Sequence, residues 1–144
     1  MLHGPSLERA KSRPWNLRGK LTAGPFLRQK DGKSWIGCIV DRTRLVWIDP
    51  NKEEIAWQKE SLGDAIVGLP QIVEGKVLVA EESGRFTAYD PATGTTAGPG
   101  YTLKASVGPA ATPVAYSPGR AFVPLTDGTV LLLSMEHFGN ASSP

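Results

Sequence analysis

The chain has 144 residues, 40% of them hydrophobic and 21% charged, with a net charge of +2. That is the scale of one ordinary domain with its own core, and it excludes a charge-dominated disordered chain. The single cysteine, Cys38, excludes an internal disulfide and a multi-cysteine zinc site, and no apolar run approaches the ~20 residues that span a bilayer.

The charge is unevenly placed. Residues 1–33 hold eight Lys/Arg against Glu8 and Asp31, whereas residues 34–144 hold eight basic and twelve acidic residues. Residues 1–14 read as a loosely packed basic tail. Such a tail suits solvent, an anionic surface, the chain's own acidic body or a neighbouring copy. Aromatic interleaving is limited to Trp15, so nucleic acid is not expected as a partner. The stretch "MLHGPSLERAKSRPW" has no apolar h-region, so no signal peptide is read. A cytoplasmic location follows if Met1 is the natural start, and a periplasmic one if the chain is a piece of an exported protein.

Residues 15–21, "WNLRGKL", read as an outermost strand whose sheet lies elsewhere. After them one phrase is written nearly three times. "RTRLVWIDPNKE" (42–53), "SGRFTAYDPATG" (83–94) and "DGTVLLLSMEHF" (127–138) lie 41 and 44 residues apart. Other landmarks keep step: Pro25, Pro70 and Pro113; the turns "DGK", "EGK" and "PGR"; the apolar runs "WIGCIV", "VLVA" and "AFVPL". The runs are short and rich in β-branched and aromatic residues, which predicts strands and almost no helix. Gly84 and Gly128 suit hairpin positions with positive φ, and the three prolines are expected at strand beginnings, where a missing N–H costs little.

Four short strands per ~40–45 residues is the period of a β-propeller blade. The expected array runs from 15 to 135, with blades at about 22–62, 63–105 and 106–135. Residues 136–144 read as a C-terminal tail, in which Asn140–Ser142 formally matches a glycosylation acceptor. The expected class is all-β, with four-stranded antiparallel blades in an incomplete ring.

On these residues the chain resembles the quinoprotein-like propeller repeat, whose blades carry a pattern close to Ala-x-Asp-x-x-x-Gly-x-x-x-Trp. Ala88, Asp90 and Gly94 match it in the second copy, with Gly98 in place of Trp. Asp49 and Trp57 match it in the first, with Trp47 for Ala and Glu53 for Gly. Leu132, Ser134 and Phe138 stand at the Ala, Asp and Gly places in the third. The resemblance implies a bacterial repeat protein in a family that holds both quinone-dependent dehydrogenases and non-enzymatic scaffolds. In such a repeat Asp49 and Asp90 hold turns, and the Trp wedges between blades. Tyr101 is one candidate to fill the gap left at Gly98.

No constellation for chemistry emerges. His3 and His137 lie in the tails, Glu81 and Glu82 point to opposite faces of one strand, and no phosphate-cradling loop or calcium loop is present. No catalytic, cofactor-binding or metal-binding residue is therefore assigned. Three blades cannot close a ring, since propellers have 4–8. The expectation is a non-enzymatic scaffold for protein–protein interaction or assembly, with a protein partner or a homo-oligomer covering the exposed blade faces. The alternative is the C-terminal part of a cofactor-dependent oxidoreductase of the quinoprotein type.

Overall fold

The computed structural model describes residues 14–61, 63–104, 107–116 and 118–139. Residues 1–13 of the expected basic tail and the Asn140–Ser142 match lie outside them. Three antiparallel meanders follow one another. The first contains β1 (Leu21–Lys30), β2 (Lys33–Val40), β3 (Arg44–Asp49) and β4 (Glu54–Glu60). The second contains β5 (Ile66–Val73), β6 (Lys76–Glu81), β7 (Arg85–Tyr89) and β8 (Tyr101–Thr102). The third has three strands, β9 (Val114–Tyr116), β10 (Arg120–Pro124) and β11 (Val130–Ser134). The only helical piece among the described residues is a 3-10 turn at Met135–Phe138.

Three features differ from the expectations. Residues 14–20 form no strand, and Leu21 opens β1. A strand needs a sheet edge to pair with, and none lies beside these residues in the single chain. Pro25 and Pro70 sit inside β1 and β5 and not at their starts. Register shifts fall at Ala23/Phe26 and Val67/Gln71, and such irregularities break the ladder where a proline has no N–H to give. Pro113 does directly precede β9. Finally, residues 135–138 belong to the third blade, because Met135 and Phe138 are buried in its core.

Each sheet has two apolar faces, and the blades stack through them. β1 contacts β5, and β5 contacts β9. Between the first and second blades, Trp35, Trp47, Trp57, Leu45 and Phe26 pack against Val77, Val79 and Tyr89. The aromatic rings form a row: Trp35 to Trp47 at 6.2 Å, Trp47 to Trp57 at 5.4 Å, and Trp57 to Tyr89 at 5.8 Å. Alternation along the strands makes this possible, since Leu45 and Trp47 face the second blade while Val46 and Ile48 face away. One repeat later, Phe86 and Ala88 take the places of Leu45 and Trp47 and face the third blade, where Ala121, Val123 and Leu133 meet them.

The two interfaces are filled differently. In the first, Trp57 projects from the leading blade onto Gly94 of the following one; a Cβ at Gly94 would lie 2.6 Å from the indole. In the second, the leading blade has Gly98 at the Trp position and the following blade has Phe138 at the Gly position. A Cβ at Gly98 would lie within 2.5 Å of the Phe138 backbone. Gly139, with φ +80°, also lies against Gly98, so the two backbones pass close together with no ring between them. Phe138 is fully buried in the core between the second and third blades. Tyr101 packs beside it, 6.2 Å from Phe86 and 4.7 Å from His137.

Deleting a buried Phe side chain of this kind costs about 3–5 kcal/mol. Phe138→Ala should lower the unfolding free energy by that amount in urea titration. The neighbouring exposed His137→Ala should change it by less than about 1 kcal/mol.

Candidate interaction surfaces

The turns that end the third strands are built alike. Asp49 Oδ1 accepts the backbone N–H groups of Asn51 and Lys52 at 3.0 and 3.3 Å. Asp90 Oδ1 accepts those of Ala92 and Thr93 at 2.7 and 3.1 Å. Ser134 Oγ keeps one such bond, from Glu136 N at 3.2 Å, since its single short hydroxyl reaches one amide where a carboxylate reaches two. Asp49 is buried, and its Oδ2 meets Lys33 Nζ at 3.0 Å. The Lys33 hydrogen bond is the main force holding the Asp49 carboxyl below its ordinary pKa, with the turn amides adding to it and burial opposing. Lys33 also lies 4.6 Å over the Trp35 ring, which ties this turn to the aromatic row.

Trp57 joins the turn of the next blade. Its Nε1–H donates to Pro91 O at 2.8 Å in a buried setting. Ala88 is fully buried on the face toward the third blade. Gly84 has φ +101° in the β6–β7 hairpin and Gly128 has φ +89° in the β10–β11 hairpin. Both lie where the chain between blades is anchored. Leu103 N donates to Gly84 O and Ser61 N to Thr43 O, one repeat apart. A second set repeats three times: Asp41 N to Lys20 O, Glu82 N to Ala65 O, and Thr126 N to Gly108 O.

The two end faces of the array differ from the inner ones. On the third blade, Val114, Tyr116, Phe122, Val130 and Leu132 share one face and are 36–61% exposed. Val130 and Leu132 occupy the places of Phe86 and Ala88, the positions that face the following blade. On the first blade, Cys38, Val40 and Val46 form a small cluster with Leu17, Ile48 and Ile55. Next to it is an apolar pocket of about 350 Å³ lined by Trp15, Leu17, Pro25, Ile36, Cys38, Ile48, Pro50 and Glu53. Pro50 and Glu53 are the counterparts of Pro91 and Gly94, so this pocket is where a preceding blade would place its outer strand. Arg44 fixes the entering chain there, donating from Nη2 to Leu17 O and Arg18 O at 2.8 and 2.9 Å.

Groups suited to chemistry stay apart. Glu81 is buried and Glu82 is exposed on the next position, with Glu82 3.7 Å from Arg42. Burial pushes the Tyr89 phenol up, with the Glu81 charge adding to it. Burial also raises the Cys38 thiol, which keeps it protonated and unreactive. No cluster of three or more His, Cys, Asp or Glu side chains able to hold a metal occurs among the described residues, and no helix there is long and apolar enough to cross a membrane.

No family model and no curated protein matches the sequence. Solved structures do match the fold. One is BamB from Moraxella catarrhalis, with a TM-score of 0.61 and 20% identity over 76% of this chain and 31% of that one. Another is a europium-containing methanol dehydrogenase, with a TM-score of 0.53 and 15% identity over 84% of this chain and 26% of that one. The fold is that of β-propeller blades. The chain spans less than a third of either neighbour, so its three blades make a partial propeller. One of the two neighbours bears an enzyme's name and the other does not.

Two outcomes follow from the turn geometry. Trp57→Phe leaves the Pro91 carbonyl without its donor and should cost about 1–3 kcal/mol in chemical denaturation. Because the folded pKa of Asp49 is depressed, its stabilising effect is complete above the ordinary carboxylate range and disappears as the pH falls through the lowered value. Asp49→Asn should therefore lower the denaturation midpoint at pH 7, and the gap from wild type should begin to shrink near pH ~4, the ordinary carboxylate value, and close only as the pH falls through the lowered one.

Proposed function

We propose that this partial propeller is a non-enzymatic scaffold that works by protein–protein contact through its two end-blade faces. The observation that carries the reading is the uncovered apolar face of β9–β11. Val130 and Leu132 there stand at the positions of Phe86 and Ala88, which are packed against the next blade, and Val114, Tyr116 and Phe122 share their face. Exposed contiguous apolar surface on a folded protein marks an interaction site. The fold likeness to BamB is compatible with this, as is the spacing of the groups suited to chemistry. The family resemblance also supports a bacterial origin.

The contrasting reading is a portion of a quinone-dependent oxidoreductase. It would be favoured if the chain reduced an artificial electron acceptor when supplied with an alcohol, a pyrroloquinoline quinone and calcium.

The scaffold reading is tested on the double variant Val130→Lys/Leu132→Lys. The wild type should either associate or, where isolated as a monomer, bind the apolar dye 1-anilinonaphthalene-8-sulfonate. The variant should lose both properties and keep its far-UV circular dichroism, since exposed substitutions shift stability by only about 0.5 kcal/mol. A wild type that neither associates nor binds the dye would overturn the reading.

A further inference from the structure

The two end faces are of opposite kinds. Every blade has a forward face, which packs on the next blade, and a backward face, which packs on the one before. Leu45/Trp47 and Phe86/Ala88 are forward, while Thr87/Tyr89 and Leu131/Leu133 are backward. The uncovered face of the third blade, with Val130 and Leu132, is forward. The backward face of the first blade is open only in part: Val46 is fully buried beside Leu17, while half-buried Ile36 and Ile48 line the pocket next to it. One molecule thus carries both halves of the contact that it already makes twice internally.

The chain between blades shows the same half-made joint. Lys20 O, Ala65 O and Gly108 O accept equivalent bonds from the hairpin of the blade that follows. Four or five residues upstream, Ser61 N and Leu103 N donate to Thr43 O and Gly84 O in the hairpin of the blade before. The corresponding donor ahead of Lys20 falls at Trp15 or Asn16. The corresponding acceptor is Gly128 O, in the exposed hairpin of the third blade. A single molecule cannot bring these together, because they lie at opposite ends of its array.

Resting on the scaffold reading above, we propose that the missing neighbour is a second copy of this chain. The forward face of β9–β11 in each copy packs on the backward face of β2–β4 in the other, and Trp15–Asn16 of one copy join the Gly128 hairpin of its neighbour. The contact is head-to-tail, and it closes when the summed rotations complete a circle. Blade count selects two copies: six blades lie within the 4–8 of known propellers, whereas nine do not. Ile48, Pro50 and Trp15 supply the pocket that receives the incoming side chains.

The test is the solution mass of the 144-residue chain by light scattering and sedimentation. The wild type should show twice the 15.4 kDa chain mass. Leu132→Arg on the forward face and Ile48→Arg on the backward face should each give a folded monomer, because in a two-copy ring either change damages both joints. An equimolar mixture of the two variants should regain a dimer, since one joint then contains neither substitution. Trp15→Ala should raise the dimer dissociation constant about tenfold or more, the effect of losing a buried aromatic anchor.

A folded wild-type monomer, a trimer or an open filament would overturn the proposal, as would a mixture that stays monomeric. A monomer that binds the apolar dye, and loses it in Val130→Lys/Leu132→Lys, would overturn the second copy alone and leave the faces for other blades or another protein. A monomer without dye binding would remove both readings.

Discussion

The indole of Trp57 lies between two sheets, with its ring on Gly94 and its N–H on the Pro91 carbonyl. That contact shows what the fold depends on. A four-stranded sheet with two apolar faces has no stable existence in water, so each blade is finished only by its neighbours. The turn that receives Trp57 is set by Asp90, whose carboxylate gathers two amides and presents the Pro91 carbonyl outward. Local turn chemistry and long-range packing are therefore one device. The carboxylate that shapes the end of a strand also shapes the seat for the aromatic ring of the blade before.

The repeat was legible because its landmarks are turn residues and short apolar runs, which record local geometry. Strand order, the near absence of helix and the three-stranded last blade follow from spacing and length. Two things were not legible. The first was the behaviour of Pro25 and Pro70, since nothing in the residues themselves marks a bulge in mid-strand. The second was Phe138. Its position, 44 residues after Gly94, places it at the Gly site of the third copy, yet the sequence near it looks like a tail. Only the structure shows that Phe138 is buried between two blades and that the backbone at 138–139 lies against Gly98. Pairings between blades leave no periodic trace in a single sequence.

The same reasoning separates what was readable at the surface from what was not. Glu81 is buried and Glu82 exposed on neighbouring positions of the chain. The sequence did not reveal that Lys33 would reach the Asp49 carboxylate across 16 residues, because the partnership depends on β2 folding back along β3. Nor did it distinguish forward from backward faces. That distinction needs the register, in which neighbouring residues such as Val46 and Trp47 point to different blades.

The two joints differ in how near their backbones come. At the first, the Trp57 indole stands between its own strand and the Gly94 turn; at the second, Gly98 lies directly against the backbone of Phe138 and Gly139. A side chain at 94 would have to displace a ring, and one at 98 would have to displace main chain. The two glycines therefore differ in tolerance: the first joint can yield by moving one side chain, whereas the second can yield only by shifting a whole blade.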